Sequence, residues 1–124
     1  MKYYEGNEQA ILFEWTAFMS GTFPELSLLF HVPNGGSRNR AEAANLKRQG
    51  VKAGVPDLFL PVARGNFHGL FIELKAGKNK TTEKQNQWIS DLRHQGYAAE
   101  VCYGYEQAAE VLTKYLEIGR RKTG

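Results

Sequence analysis

Two short apolar runs, DLFLPV at 57–62 and LFIELK at 70–75, flank a loop around Gly65, and this pair constrains the fold more than any other feature. Each has strand length and is bounded by glycine or proline. Suppose the two strands form a hairpin symmetric about Gly65. Positions whose numbers sum to 130 then lie opposite each other, so Phe59 faces Phe71 and Asp57 faces Glu73. Strand side chains alternate between faces. Asp57, Phe59, Phe71, Glu73 and Lys75 therefore share one face, and Leu58, Leu60, Leu70, Ile72 and Leu74 share the other.

The rest of the chain reads as helices and strands around this hairpin. Residues 7–20 form a helix with Asn7 as N-cap and an apolar stripe of Ile11, Leu12, Trp15, Phe18 and Met19. LSLLFHV at 26–32 is a strand or the approach to one, and Pro33-Asn34-Gly35-Gly36 is a turn. Ser37 can cap a surface helix over 38–49, with Gly50 at its C′ position. Thr82 opens a helix over 82–95 that carries Trp88, Ile89 and Leu92. A strand at 97–103 and a helix at 106–118 complete the order α, possible β, α, β, β, α, β, α. That order predicts an α/β domain in which helices pack around a small mixed sheet. With 124 residues and no repeat or long linker, residues 1–124 read as one domain.

Composition narrows the setting. The single Cys102 excludes an internal disulfide and a four-cysteine zinc site, and favours a reducing cytoplasm. The opening MKYYEGNEQ lacks the apolar core of a signal peptide, and no apolar run is long enough to span a bilayer. The expectation is a soluble cytoplasmic protein with no membrane partner. The net charge is +3, and its placement is more informative than its size. Arg38, Arg40, Lys47, Arg48 and Lys52 cluster against a single acidic Glu42, and Lys75, Lys78, Lys80 and Lys84 make a second run. Such clustering suits phosphate contact, and equally a solvated face.

The shared face of the hairpin carries the chemistry. Directly opposed residues bring their Cβ atoms to roughly 5 Å. Two carboxylates at that distance repel unless a divalent cation stands between them. Lys75 lies roughly 7 Å beyond Glu73 on the same face, within reach of an attacking water or a phosphate oxygen. Pro-Asp also occurs as an ordinary turn pair, and Glu-x-Lys as a plain ion pair. Together on paired strands with basic flanks, they favour a site. Thr82-Glu83-Lys84-Gln85 fits a capping box, which gives Gln85 a structural reading beside any chemical one. Trp15 and Trp88 read as core residues rather than base-stacking platforms. Cys102, in an apolar strand, reads as buried and inert.

GVPD at 54–57 followed by IELK at 72–75 resembles the PD-(D/E)XK nuclease signature. The longer strings VPNGGSRNRAEAANLKRQGVKAGVPDLFLP and HGLFIELKAGKNKTTEKQNQWISDLRHQGYAAEVCYG resemble the VRR-NUC family, the virus-type replication-repair nucleases. The likeness runs from about Asn7 to Leu116, and so resembles the stand-alone phage and bacterial members. It implies a restriction-endonuclease-like core of αβββαβ type, a small mixed β-sheet flanked by helices. It also implies roles. Asp57 and Glu73 match the metal-binding carboxylates, the Leu74 backbone carbonyl completes the inner sphere, and Lys75 matches the lysine that handles the nucleophilic water. Gln85 matches a glutamine at the start of the following helix. A glutamate on the first helix joins the set: Glu8 on the inward stripe is the first choice, Glu14 the runner-up, and Gln9 a neighbour behind the ligands.

The implied reaction is Mg²⁺- or Mn²⁺-dependent phosphodiester hydrolysis in DNA. Asn34, Ser37, Arg38, Arg40, Lys47 and Lys52 around the basic helix, with Lys78 and Lys80 in the 76–80 loop, would grip the backbone without reading bases. Stand-alone members of the family imply a Holliday junction resolvase that acts as a homodimer on branched DNA, in a bacterial cell or a phage-infected host. Two other readings stay open. One is a less selective flap or single-strand nuclease or nickase. The other is a DNA-binding module whose carboxylates serve only the fold.

Overall fold

The structure, a computed structural model, describes residues 5–33 and 39–120. Its elements are α1 (Glu5–Phe18), β1 (Phe30–His31), α2 (Arg40–Arg48), β2 (Leu58–Leu60), β3 (Leu70–Lys75), α3 (Glu83–His94), β4 (Ala98–Tyr103) and α4 (Tyr105–Glu117). Two 3-10 turns, Met19–Gly21 and Pro24–Leu28, lead from α1 to β1. The sheet is mixed, in the order β1-β2-β3-β4. β1–β2 and β2–β3 are antiparallel, and β3–β4 is parallel.

The hairpin has the register inferred above: Leu58 pairs with Ile72, Phe59 with Phe71 and Leu60 with Leu70. Alternation then sorts the side chains. Leu58, Leu60, Leu70, Ile72 and Leu74 are all at most 1% exposed and pack with Leu12 of α1 and with Leu112, Tyr115 and Leu116 of α4. On the opposite face Phe59 stacks on Phe71 with ring centroids 4.2 Å apart, and Tyr97 and Phe30 meet Phe59 edge-on. α3 lies on that opposite face too, where Gln85 reaches Glu73 and Ile89 is buried outside the main core.

Helix ends follow local chemistry. Thr82 caps α3 in a reciprocal capping box with Gln85. α2 begins later than expected. Its N-cap is Asn39, whose side chain accepts the Glu42 N–H at 2.7 Å. Gly50 closes α2 at φ 98°, as a C′ glycine should.

Three other expectations change. α1 starts at Glu5, so Asn7 lies inside the helix. Its buried stripe is narrower than the sequence suggested: Leu12 and Thr16 are buried and Trp15 packs on the core, while Ile11 is 40% and Phe18 86% exposed. The run at 26–32 is, as expected, a strand and its approach: residues 26–28 end the 3-10 turn opened by Pro24, which suits a helical first turn, and Phe30–His31 form β1. The first hairpin strand pairs only over Leu58–Leu60; Pro61 has no N–H to extend the ladder. Asn34, Ser37 and Arg38 lie outside the described residues. Among the described residues no helix is long and apolar enough to cross a membrane.

Cys102 is 1% exposed, and burial, helped by the charge of Glu100, pushes its thiol from 9.0 up to about 12. The fold therefore favours the neutral thiol. Its contribution to stability is intact below pH 9 and is lost as the pH rises from there toward 12, where the unfolded chain ionises first. Thermal melts from pH 8 to pH 11 should show the wild type losing Tm more steeply than Cys102→Ala. Tyr115, also raised by burial, is common to both proteins and cancels in the difference. Parallel slopes would rule out the thiol contribution.

Candidate active site

Asp57 stands one residue before β2, where backbone pairing with β3 stops, and its side chain takes over. Asp57 Oδ2 accepts the Leu74 N–H at 2.9 Å. On its other flank, the Asp57 carbonyl accepts from Val32 N–H and lies 3.0 Å from His31 Nδ1. The residue is thus held between β1 and β3, partly buried, with its carboxylate at the end of the hairpin. By the same register it stands opposite Glu73.

Glu73 and Lys75 are 2% and 6% exposed, the two buried charged side chains among the described residues. Lys75 Nζ lies 3.7 Å from Glu73 Oε2, and Gln85 Nε2 donates to the same oxygen at 3.2 Å. The burial pattern of β3 breaks here from the usual alternation, because core covers one face and α3 the other. Burying an ion pair gains little over an apolar pair of the same volume. Its presence here is thus better explained by chemistry than by stability.

Gln85 uses both ends of its amide. Oε1 accepts the Thr82 N–H at 2.9 Å, which completes the cap, while Nε2 serves Glu73. The structural and chemical readings of this residue therefore hold together.

Glu8 is placed differently. Its Oε2 accepts the Tyr105 N–H at 2.9 Å and so caps α4, whose own N-cap, Gly104, has no side chain to do it. A carboxylate is favoured there by the helix dipole. Among the described residues no three His, Cys, Asp or Glu side chains gather as a metal-binding group. Glu14 is exposed. The residue that α1 does bring to the site is Gln9. It lines a cleft of about 260 Å³ with Gly6, His31, Asp57 and Leu74. From sequence, His31 flanks the glycine turn as either a phosphate contact or part of a plain turn; the β1–β2 pairing brings it beside Asp57.

Oxygen donors face this region, beside the His31 imidazole. Asp57 and Glu73 supply carboxylates. The N–H and C=O of one strand residue point to the same side, so the Leu74 carbonyl opens toward Asp57, as its N–H does. Hard oxygen donors, few in number, suit Mg²⁺ or Mn²⁺. Mg²⁺ commonly uses one or two carboxylates and completes its shell with water and substrate phosphate. The residues present fit that description. Arg40, Lys47, Lys52, Lys78 and Lys80 are all exposed, as phosphate contact requires.

Residues 5–106 match the model of the VRR-NUC domain. The chain belongs to the VRR-NUC family. It is also similar to a solved structure described as a VRR_NUC domain protein, with 35% identity, a TM-score of 0.79, and coverage of 93% of this chain and 89% of that one. No curated protein matches it significantly. The VRR-NUC domain is a nuclease domain of the PD-(D/E)XK type, and the mixed sheet with flanking helices is its restriction-endonuclease-like fold.

The double use of Gln85 gives a separable pair of substitutions. Gln85→Ala keeps the Thr82 cap but loses the reciprocal half of the capping box and the bond to Glu73, and should cost about 1 kcal/mol in thermal or urea unfolding at any pH near neutrality. Gln85→Glu can keep the cap but cannot donate to Glu73, and it sets a second carboxylate beside it. Its stability deficit should therefore shrink as the pH falls from 7 to 5. A deficit that stayed constant over that range would mean the contact with Glu73 carries no weight.

Proposed function

We propose that this VRR-NUC protein hydrolyses phosphodiester bonds in DNA, with Mg²⁺ or Mn²⁺ held by Asp57, Glu73 and the Leu74 carbonyl. The observation that carries the reading is the buried Lys75–Glu73 pair one strand away from the anchored Asp57 carboxylate. When bound, the divalent ion would supply Lewis-acid polarisation of the scissile phosphate and a lower pKa for its water. The chain's own residues do the rest. Asp57 is oriented by the Leu74 N–H. Gln85 holds Glu73 in a single pose. Lys75, desolvated and fixed, orients the attacking water and offsets negative charge as it develops on the phosphate. Lys78 and Lys80 flank the site, and Arg40, Lys47 and Lys52 lie on and after α2; these cations position the backbone independently of base sequence.

The favoured substrate is a four-way junction, cut by a homodimer in the course of recombination or repair. Two symmetric cuts need two sites, which a C₂ dimer presents. Phe30, 47% exposed at the sheet edge, continues inward through partly exposed Phe59, Phe71 and Tyr97, an apolar surface that suits self-association.

Wild type should cut a branched DNA with Mg²⁺ or Mn²⁺ and not with EDTA. Asp57→Asn and Lys75→Ala should each lower the single-turnover rate by about 10²-fold or more, with circular dichroism unchanged. Equal cutting by wild type and both variants would move the active site elsewhere, and no cutting under either metal would remove the nuclease assignment. A panel of four-way junction, flap, duplex and single strand tests the substrate. Sedimentation equilibrium should give two protomers per junction. A monomer that prefers flaps or single strands would overturn the resolvase part and leave the nuclease part standing.

A further inference from the structure

A second cleft, of about 770 Å³, lies between α2 and α3, away from the Asp57 cleft. Its walls are apolar: Leu46 from α2, Val51 from the following loop, and the indole of Trp88 from α3. Its rim is cationic, with Lys47, Lys52 and Lys84 all exposed and no acidic residue among its lining. Its volume is in the range of small-molecule sites, about 300–1,000 Å³. Trp88 is partly exposed and stands outside the main core cluster, whereas Trp15 packs against that cluster. α2 buries none of its residues, so it forms a wall and contributes nothing to the core.

We propose that this cleft takes one unstacked nucleotide of the DNA substrate, with the base against Trp88 and the adjoining phosphates on Lys47, Lys52 and Lys84. The proposal rests on the nuclease reading above. Three observations carry it. An indole face is a sequence-tolerant platform for any base. Three lysines with no carboxylate among the lining select a polyanion over a neutral apolar ligand. The position is also right for a substrate strand. Trp88 is three residues after Gln85 on the same helix, hence its surface neighbour, and Gln85 donates to Glu73. The platform for that base is thus less than one helical turn, about 4.5 Å of rise, from the residue that holds the catalytic carboxylate.

The floor of the cleft is closely packed. Gly54 has φ +90°, and a Cβ there would come within 2.9 Å of the Lys84 backbone. The loop leading to Asp57 therefore touches the first turn of α3. A nucleotide held between Val51 and Trp88 would be positioned by the same two segments that carry Asp57 and Gln85.

The test uses Trp88 itself as reporter, in a Trp15→Phe background and without divalent metal so that no DNA is cut. A thymidine 12-mer should quench Trp88 fluorescence on binding, and a blunt duplex of equal length should quench it far less. Trp88→Ala should weaken binding of the 12-mer by about tenfold and change duplex affinity less than twofold, while Trp88→Phe should retain most of the affinity. If Trp88→Ala does not fold, the quenching signal and Trp88→Phe still decide the matter. No quenching by a single strand that does bind, or equal single-strand affinity of wild type and Trp88→Ala, would overturn the cleft assignment. Those outcomes leave metal-dependent cleavage untouched, whereas loss of all cleavage by the wild type strikes the nuclease reading alone.

Discussion

Everything at the site depends on the pairing register of β2 with β3. Leu58 opposite Ile72 sends five aliphatic side chains into the core and leaves Asp57, Glu73 and Lys75 on the other face. A slip by one residue would turn one strand over against the other, putting either Asp57 or the Glu73–Lys75 pair on the core side and that strand's aliphatic groups on the opposite face. The core thus enforces the site geometry. The energy that fixes the register is hydrophobic burial, which has nothing to do with phosphate chemistry, yet it places the carboxylates to within one strand position.

Against that background the charged residues are a local cost that the fold absorbs. Glu73 and Lys75 sit on a strand whose other residues pack on both sides. Their desolvation is offset by each other and by Gln85. Every polar contact at the site has a partner whose position is set by secondary structure: a strand N–H, a helix cap, a neighbouring strand residue. Little is left to loops, and a site built on strands and a helix start is held more tightly than one built on loops.

What could be read from the residues alone was what depends on period and local chemistry. The hairpin register follows from two alternating runs about Gly65, and the Thr82–Gln85 box from a spacing of three. What could not be read depends on long-range contact. Glu8 lies on the inward side of α1, so its direction was correct, but its partner is the Tyr105 N–H, 97 residues away. No local signal announces that α4 lacks a cap of its own. Ile11 and Phe18 lie at helical spacing with Leu12 and Trp15, and only the docking of α1 decides which edge of the stripe stays in water. Trp88 looked like core because it neighbours Ile89 and Leu92; the shallow seat of α2 leaves it partly open instead.

The parallel pairing of β3 with β4 has one more consequence, in chain entropy. A parallel strand must be reached by a crossover, and α3 is that crossover, so its first turn has to pass the end of β3 where Glu73 lies. Between them runs an exposed loop bearing Lys78 and Lys80. Closing a longer loop costs only about 0.6 kcal/mol per doubling, and the Thr82 cap and the Gln85–Glu73 bond anchor α3 whatever the loop's length. Insertions there can remodel how the protein grips its substrate while the carboxylates stay where they are.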